Sequence, residues 1–237
     1  MRKITWKMSV AAALLLGMSL CVSSQAGAQT SRFNVYGGYS YGTNNFFDGY
    51  YEGLPGASAL NGYGVAFTVN LNDHLGMEAT FTGHNGGSST ILNEPATANY
   101  NGEEISSGNQ ALYAYAFGPK VSQAVGNFSL FTHFLVGGIH MSQSLTETCT
   151  NAGYAYACGT PNPEVANQKG SGFAFKTGAG VDWNHGRWGI RILEVDYVHG
   201  QMVSSFNGDL DDLASLATSG NNFELNTGIT FNFGHSL

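Results

Sequence analysis

From residue 32 onward the chain alternates apolar and polar positions with a period of two, the signature of strands with unlike faces. Phe33, Val35, Gly37, Tyr39 and Tyr41 alternate with Asn34, Tyr36, Gly38 and Ser40. Tyr63 to Leu71 repeats the pattern against Gly64, Ala66, Thr68 and Asn70, and Leu75 to Phe81 against Gly76, Glu78, Thr80 and Thr82. Tyr113, Tyr115, Phe117 and Val121 oppose Ala114, Ala116, Gly118 and Lys120. Phe173 to Trp183 faces away from Ala174, Lys176, Gly178, Gly180 and Asp182. Phe223 to Phe233 faces away from Glu224, Asn226, Gly228, Thr230 and Asn232.

Two stretches are less regular. In 128–141 the favoured parity sets Leu130, Phe134 and Val136 outward and His133 inward. In 187–199, Trp188 and Ile190 share one parity while Leu193, Val195 and Tyr197 take the other. One β-bulge near Ile192 would put all five on one face and aim Arg191, Glu194 and Asp196 at the other.

Eight strands are therefore expected, near 32–41, 62–71, 75–84, 110–121, 128–141, 171–183, 187–199 and 221–233. Tight turns at 72–74, 122–127 and 184–186 alternate with long loops at 42–61, 85–109, 142–170 and 200–220. Four of the five prolines fall in those loops. The implied fold is all-β: an eight-stranded antiparallel up-and-down transmembrane β-barrel with four long extracellular loops and three short periplasmic turns. A soluble barrel has the same period with its apolar face inward, and three features decide against it. Only 10 of the 95 strand residues are Asp, Glu, Lys or Arg, too few for a hydrated outer wall. Short turns at one end and long loops at the other follow the outer-membrane pattern. The chain also stops within four residues of the last strand.

Composition agrees. The 237 residues include 33 glycines and 11% charged residues, where soluble domains carry about 25%. The aromatic share of 13% excludes disorder, and a net charge of −7 with no basic stripe argues against nucleic acid. Arg2, Lys3 and Lys7, the apolar run Met8–Val22 and Ala26-Gly27-Ala28 have the layout of a secretory signal peptide. Residues 1–28 are thus expected to be removed, leaving 29–237 as the barrel domain. The leader's apolar run, about 15 residues, is short for a bilayer span of ~20, and no run of 18 apolar residues follows it. Six basic residues against sixteen acidic ones then leave −10. Cys149 and Cys158 form an even pair in an exported chain, for which a disulfide is expected. Two cysteines with no histidine nearby make a poor zinc site.

Several segments resemble the outer membrane protein β-barrel domain family, related to the OmpA, OmpX and opacity-type barrels. They are Phe117-Gly118-Pro119-Lys120-Val121, Phe131 to Gly138, Gly178-Ala179-Gly180-Val181-Asp182 and Glu194-Val195-Asp196-Tyr197. The last strand resembles the family's insertion signal through Asn226, Gly228, Phe231 and Phe233. The resemblance implies insertion by the barrel assembly machinery.

The inward parity collects Glu78, Lys120, Lys176, Asp182, Arg191, Glu194, Asp196 and Glu224, which are expected to pair in the lumen because isolated buried charges are too costly. Such a lumen reads as a polar plug holding the barrel shut; the alternative is a narrow porin-like channel gated by rearranging pairs. His140 and Ser142, outward and two apart, have the spacing of a lipid A-modifying site, but no acid is placed to orient the histidine. The expectation is a rim histidine and no catalysis. No histidine pair has metal-ligand spacing, and Asp209, Asp211 and Asp212 lack the glycine and closing glutamate of a calcium loop, so no metal or cofactor is expected. Phe46, Phe47, Tyr50 and Tyr51 in the first loop are the candidate contact surface for an unknown ligand, or pack upon themselves. A monomer in contact with outer-membrane lipids and lipopolysaccharide is expected. Ten of the sixteen acidic residues fall in the four loops with Lys169 as their one basic residue, so the outer mouth is acidic.

Overall fold

The computed structural model describes residues 31–44, 58–86, 89–94, 102–150, 164–208 and 216–236. Among these residues the strands are β1 Ser31–Asn44, β2 Ser58–Asn70, β3 Leu75–Gly86, β4 Ser89–Glu94, β5 Gly102–Val125, β6 Phe128–Thr150, β7 Glu164–His185, β8 Trp188–Gly208 and β9 Leu216–Ser236. Each pairs antiparallel with its neighbour, in the order β3-β2-β1-β9-β8-β7-β6-β5-β4. β3 and β4 both lie on β5: Leu75 to Gly86 opposite Val121 to Gln110, then Ser89 to Glu94 opposite Ser107 to Glu103. They are one interrupted stave, and the β3–β5 pairing closes an eight-stranded barrel. No helix occurs among the described residues.

The turns are tight for local reasons. Gly126 and Gly186 open the two-residue turns β5–β6 and β7–β8 with φ of 60° and 64°, a left-handed backbone that costs glycine nothing. Between β2 and β3, the Asn72 side-chain carbonyl accepts from the amides of His74 and Leu75, at 2.9 and 2.8 Å.

The apolar parity faces out. Val65, Phe67, Tyr115, Phe117, Phe134, Phe173, Trp188 and Ile229 are exposed on every side of the barrel, while Tyr36, Thr68, Glu78 and Arg191 on the opposite parity are buried. An apolar exterior that encircles the barrel is a surface for hydrocarbon rather than water. In β6, Leu130, Phe134 and Val136 point out, and His133 points in with Phe131 and Leu135. The β-bulge lies at Ile192: Val181 faces Leu193 and Asp182 faces Arg191, leaving Ile192 outside the ladder. Ile192 and Leu193 are both exposed, so Arg191 and Glu194 both reach the interior although three residues apart.

Two expectations need correction. The loops are shorter than the pattern implied, because the ladders run on well past the apolar wall: β6 and β7 stay paired from Phe128–Trp183 to Glu147–Glu164, and the segment 89–94 is itself a strand. Beyond the membrane both faces of a strand meet polar surroundings, so alternation fades while backbone pairing continues. The interior is also not polar throughout. Leu60, Leu112, Ile139, Met141, Val198 and Met202 form a buried apolar cluster above the charged zone, on the loop side.

Glycine supplies the room that such filling needs. Gly38 faces Gly228 across β1 and β9, and the Tyr36 ring lies against them with its hydroxyl donating to the Thr227 carbonyl at 3.2 Å. A Cβ on Gly228 would sit 2.5 Å from the Gly38 Cα and 2.9 Å from a Tyr36 ring carbon, whereas one on Gly37 would meet nothing within 4 Å. Gly228→Val is therefore expected to destabilise the barrel by about 3 kcal/mol through overpacking. Gly37→Ala should leave the urea unfolding midpoint in micelles essentially unchanged.

Candidate functional site

The bulge in β8 and the strand-to-strand stagger bring all eight charged lumen residues into one layer. Arg191 is at its centre. Its Nε lies 2.9 Å and its Nη2 3.3 Å from the two oxygens of Asp182, and its Nη1 lies 2.7 Å from Glu194 Oε2. The guanidinium plane is held between the rings of Tyr36 and Phe131, 4.2 and 4.4 Å from their centroids. Phe131 fits because Gly180, on the neighbouring strand, has no side chain: a Cβ there would lie 2.5 Å from its ring. Planar stacking and a two-pronged carboxylate contact suit arginine and not lysine.

The remaining charges form a chain across the lumen. Lys120 Nζ sits 2.6 Å from Glu78 Oε2 and 4.1 Å from the Phe131 centroid. Glu78 Oε1 is 2.8 Å from His133 Nδ1, and His133 Nε2 is 3.0 Å from Asp196 Oδ1. Lys176 Nζ then bridges Asp196 Oδ2 at 2.7 Å and Glu224 Oε2 at 2.8 Å. Thr68 donates to Glu78 at 2.9 Å, Asn226 to Asp196 at 2.9 Å and Thr82 to Glu224 at 3.3 Å. Five carboxylates face three permanent cations. His133 presents both ring nitrogens to carboxylates, and only the imidazolium donates from both, which makes a fourth cation of it.

Alternation turns His133 inward without assigning it to the ion pairs, and it does not mark Tyr36 and Phe131 as the rings that pack on Arg191. Parity alone places a residue inside; which strands face one another across the lumen depends on the barrel's stagger, which no single strand encodes. Ser40 and His84 were missed for the same reason: Ser40 Oγ lies 2.8 Å from His84 Nε2, deep beside Glu224.

The arrangement obstructs. A cavity of about 270 Å³ enters from the turn end, rimmed by Asn34, Asn70, Asn184 and Asn232, and reaches Lys120 and Asp182. Beyond it, among Tyr36, Lys176, Arg191, Glu194 and Asn226, there is space of about 10 Å³, roughly a single water. The apolar cluster follows. Glu78, His133 and Glu194 hold donor atoms within 4.8 Å of one another, a spacing fit for a metal. The same three side chains also bond Lys120, Asp196 and Arg191, through Glu78 Oε2, His133 Nε2 and Glu194 Oε2.

Other candidates divide. Asn226 is buried in the layer; Gly228 is the close approach to Gly38; Phe231 packs 4.8 Å from Trp188 and Phe233 5.3 Å from Phe33 between ring centroids, on the outer wall. His140 Nδ1 lies 2.7 Å from Ser171 on β7, which replaces Ser142 as the hydroxyl to consider beside it. Phe46, Phe47, Tyr50, Tyr51, Cys158, Asp209, Asp211 and Asp212 lie outside the described residues, as does the side chain of Cys149.

No protein-family model and no curated protein matches the chain. Solved structures do. Ail, the attachment invasion locus protein of Yersinia pestis, aligns at 12% identity and a TM-score of 0.43, covering 85% of this chain and 99% of that one. The outer membrane protein OprG of Pseudomonas aeruginosa aligns at 14% and 0.45, covering 88% and 99%. Neisserial surface protein A aligns at 9% and 0.42, covering 86% and 98%. At these identities no residue role passes from one chain to the other.

Removing one charge should expose the cost of the layer. Lys176→Met leaves Asp196 and Glu224 without their shared cation and is expected to cost about 3–5 kcal/mol in denaturant unfolding. The double variant Lys176→Met/Glu224→Gln should recover part of that loss, a coupling that a double-mutant cycle measures.

Proposed function

We propose that this chain is an integral barrel of a Gram-negative outer membrane that serves the envelope structurally or presents its loops for surface interaction, without catalysis. Residues 1–28 act as its export signal, and Asn226, Gly228, Phe231 and Phe233 are read by the barrel assembly machinery. Its partners are outer-membrane lipids and lipopolysaccharide, and it acts as a monomer. The observation that carries this reading is an apolar wall around a charged interior in which each cation is matched to carboxylates at bonding distance. A transport pore needs water along its axis, whereas here Arg191, Lys176 and the apolar cluster fill it.

The same packing supports the reading without catalysis. His140 has a serine beside it and no acidic partner among the described residues, while the deeper Ser40–His84 pair is enclosed, with the serine and the histidine both fully buried. The narrow channel remains the second reading, favoured by the cavity that reaches Lys120 and Asp182 from the turn end.

The purified protein is expected to migrate differently on a denaturing gel before and after boiling; a single unshifted band counts against a stable barrel. In planar bilayers it should give no steady conductance, and a sizeable, sustained one would favour the channel.

A further inference from the structure

On the outer wall, the β6–β7 ladder sets His140 opposite Ser171 and Ser142 opposite Lys169. All four share the outward parity of Phe134, Val136 and Phe173, so they form a two-by-two patch, about 5 Å across the ladder and about 7 Å along the strands. Lys169 and Ser171 are exposed, and His140 and Ser142 are partly so. With the His140 Nδ1 engaged by Ser171 at 2.7 Å, Nε2 is the nitrogen left for a ligand. An ammonium, two hydroxyls and an imidazole within one ladder square are the donors an oxyanion takes.

Two observations point to the source of that oxyanion. The patch is bordered by side chains that require hydrocarbon: Phe173 lies one outward position below Ser171, and the exposed Val203 lies opposite Ser171 on β8. It therefore stands at the upper margin of the lipid-facing wall, at headgroup depth. It also holds the only lysine or arginine so placed. Of the six in residues 29–237, Lys120, Lys176 and Arg191 are buried in the lumen and Arg32 and Arg187 lie at the turn end, leaving Lys169 at the loop end. On a mouth that is otherwise acidic, this is where a negative headgroup meets a positive charge.

We infer that His140, Ser142, Lys169 and Ser171 bind a phosphate of an outer-leaflet phosphorylated glycolipid of the lipid A class, which rests on the outer-membrane reading above. A phosphorylated soluble protein is a poorer fit, because the patch looks sideways toward lipid.

The full chain, folded in zwitterionic detergent, can be titrated with diphosphorylated lipid A, with its dephosphorylated form and with inorganic phosphate, and bound ligand counted by native mass spectrometry. Lipid A should bind the wild type about tenfold more tightly than it binds His140→Ala/Lys169→Ala, a difference of about 1.4 kcal/mol. Lys169→Arg should retain binding, and the dephosphorylated lipid should bind the wild type as weakly as lipid A binds the double variant. Equal binding of lipid A by wild type and double variant, or equal binding of the two lipid forms by the wild type, overturns the site. Inorganic phosphate binding as tightly as the lipid overturns the lipid as its source. Heat-shifted gel mobility of the same samples keeps the two readings apart: its absence overturns the barrel itself, and its presence with equal binding overturns the phosphate site alone.

Discussion

The structure depends on the pairing of charge inside a narrow, lipid-bound cylinder. Five carboxylates, two lysines, one arginine and a histidine are buried together, and each ion withdrawn from water costs several kcal/mol before its partners are counted. Every lumen cation accordingly has a carboxylate within bonding distance, and Lys176, His133 and Arg191 each have two. Once eight staves have drawn these side chains inward, the layer cannot loosen locally without stranding a charge. Register, bulge and glycine placement all serve that constraint.

The bulge at Ile192 shows how. A regular strand would turn either Arg191 or Glu194 toward lipid; the extra residue lets both reach the interior while Ile190, Ile192 and Leu193 stay outside. Glycine performs the complementary task. Gly38, Gly228 and Gly180 leave the space in which Tyr36 and Phe131 enclose the guanidinium, so the arginine is held by two rings as well as two carboxylates. High glycine serves a small interior that must be packed, and low charge an outer wall that faces lipid.

Much of this was legible in the alternation. Period two names which residues face inward, and that alone gathers Glu78, Lys120, Lys176, Asp182, Arg191, Glu194, Asp196 and Glu224, provided the bulge is allowed for. Legibility ends where the two faces stop differing. Above the membrane Ser, Thr, Gln and Asn occupy both parities, and the ladders of β5, β6 and β7 continue there unannounced. It ends also where inward residues are apolar: Leu112, Ile139, Met141 and Val198 share the inward parity, but only the closed barrel gathers them into one cluster.

The linear order of residues thus determined the strands, their outward and inward faces and the sign of every buried charge, because each is a property of one strand and its neighbours in sequence. Only the closed barrel decided who meets whom. Glu78 reaches Lys120 across paired β3 and β5, but it reaches His133 on β6 only through the curvature and stagger of the whole sheet. The same closure set Ser171 and Lys169 beside His140 and Ser142 on the outer wall, a juxtaposition of residues some thirty positions apart that a ladder makes and spacing along the chain does not.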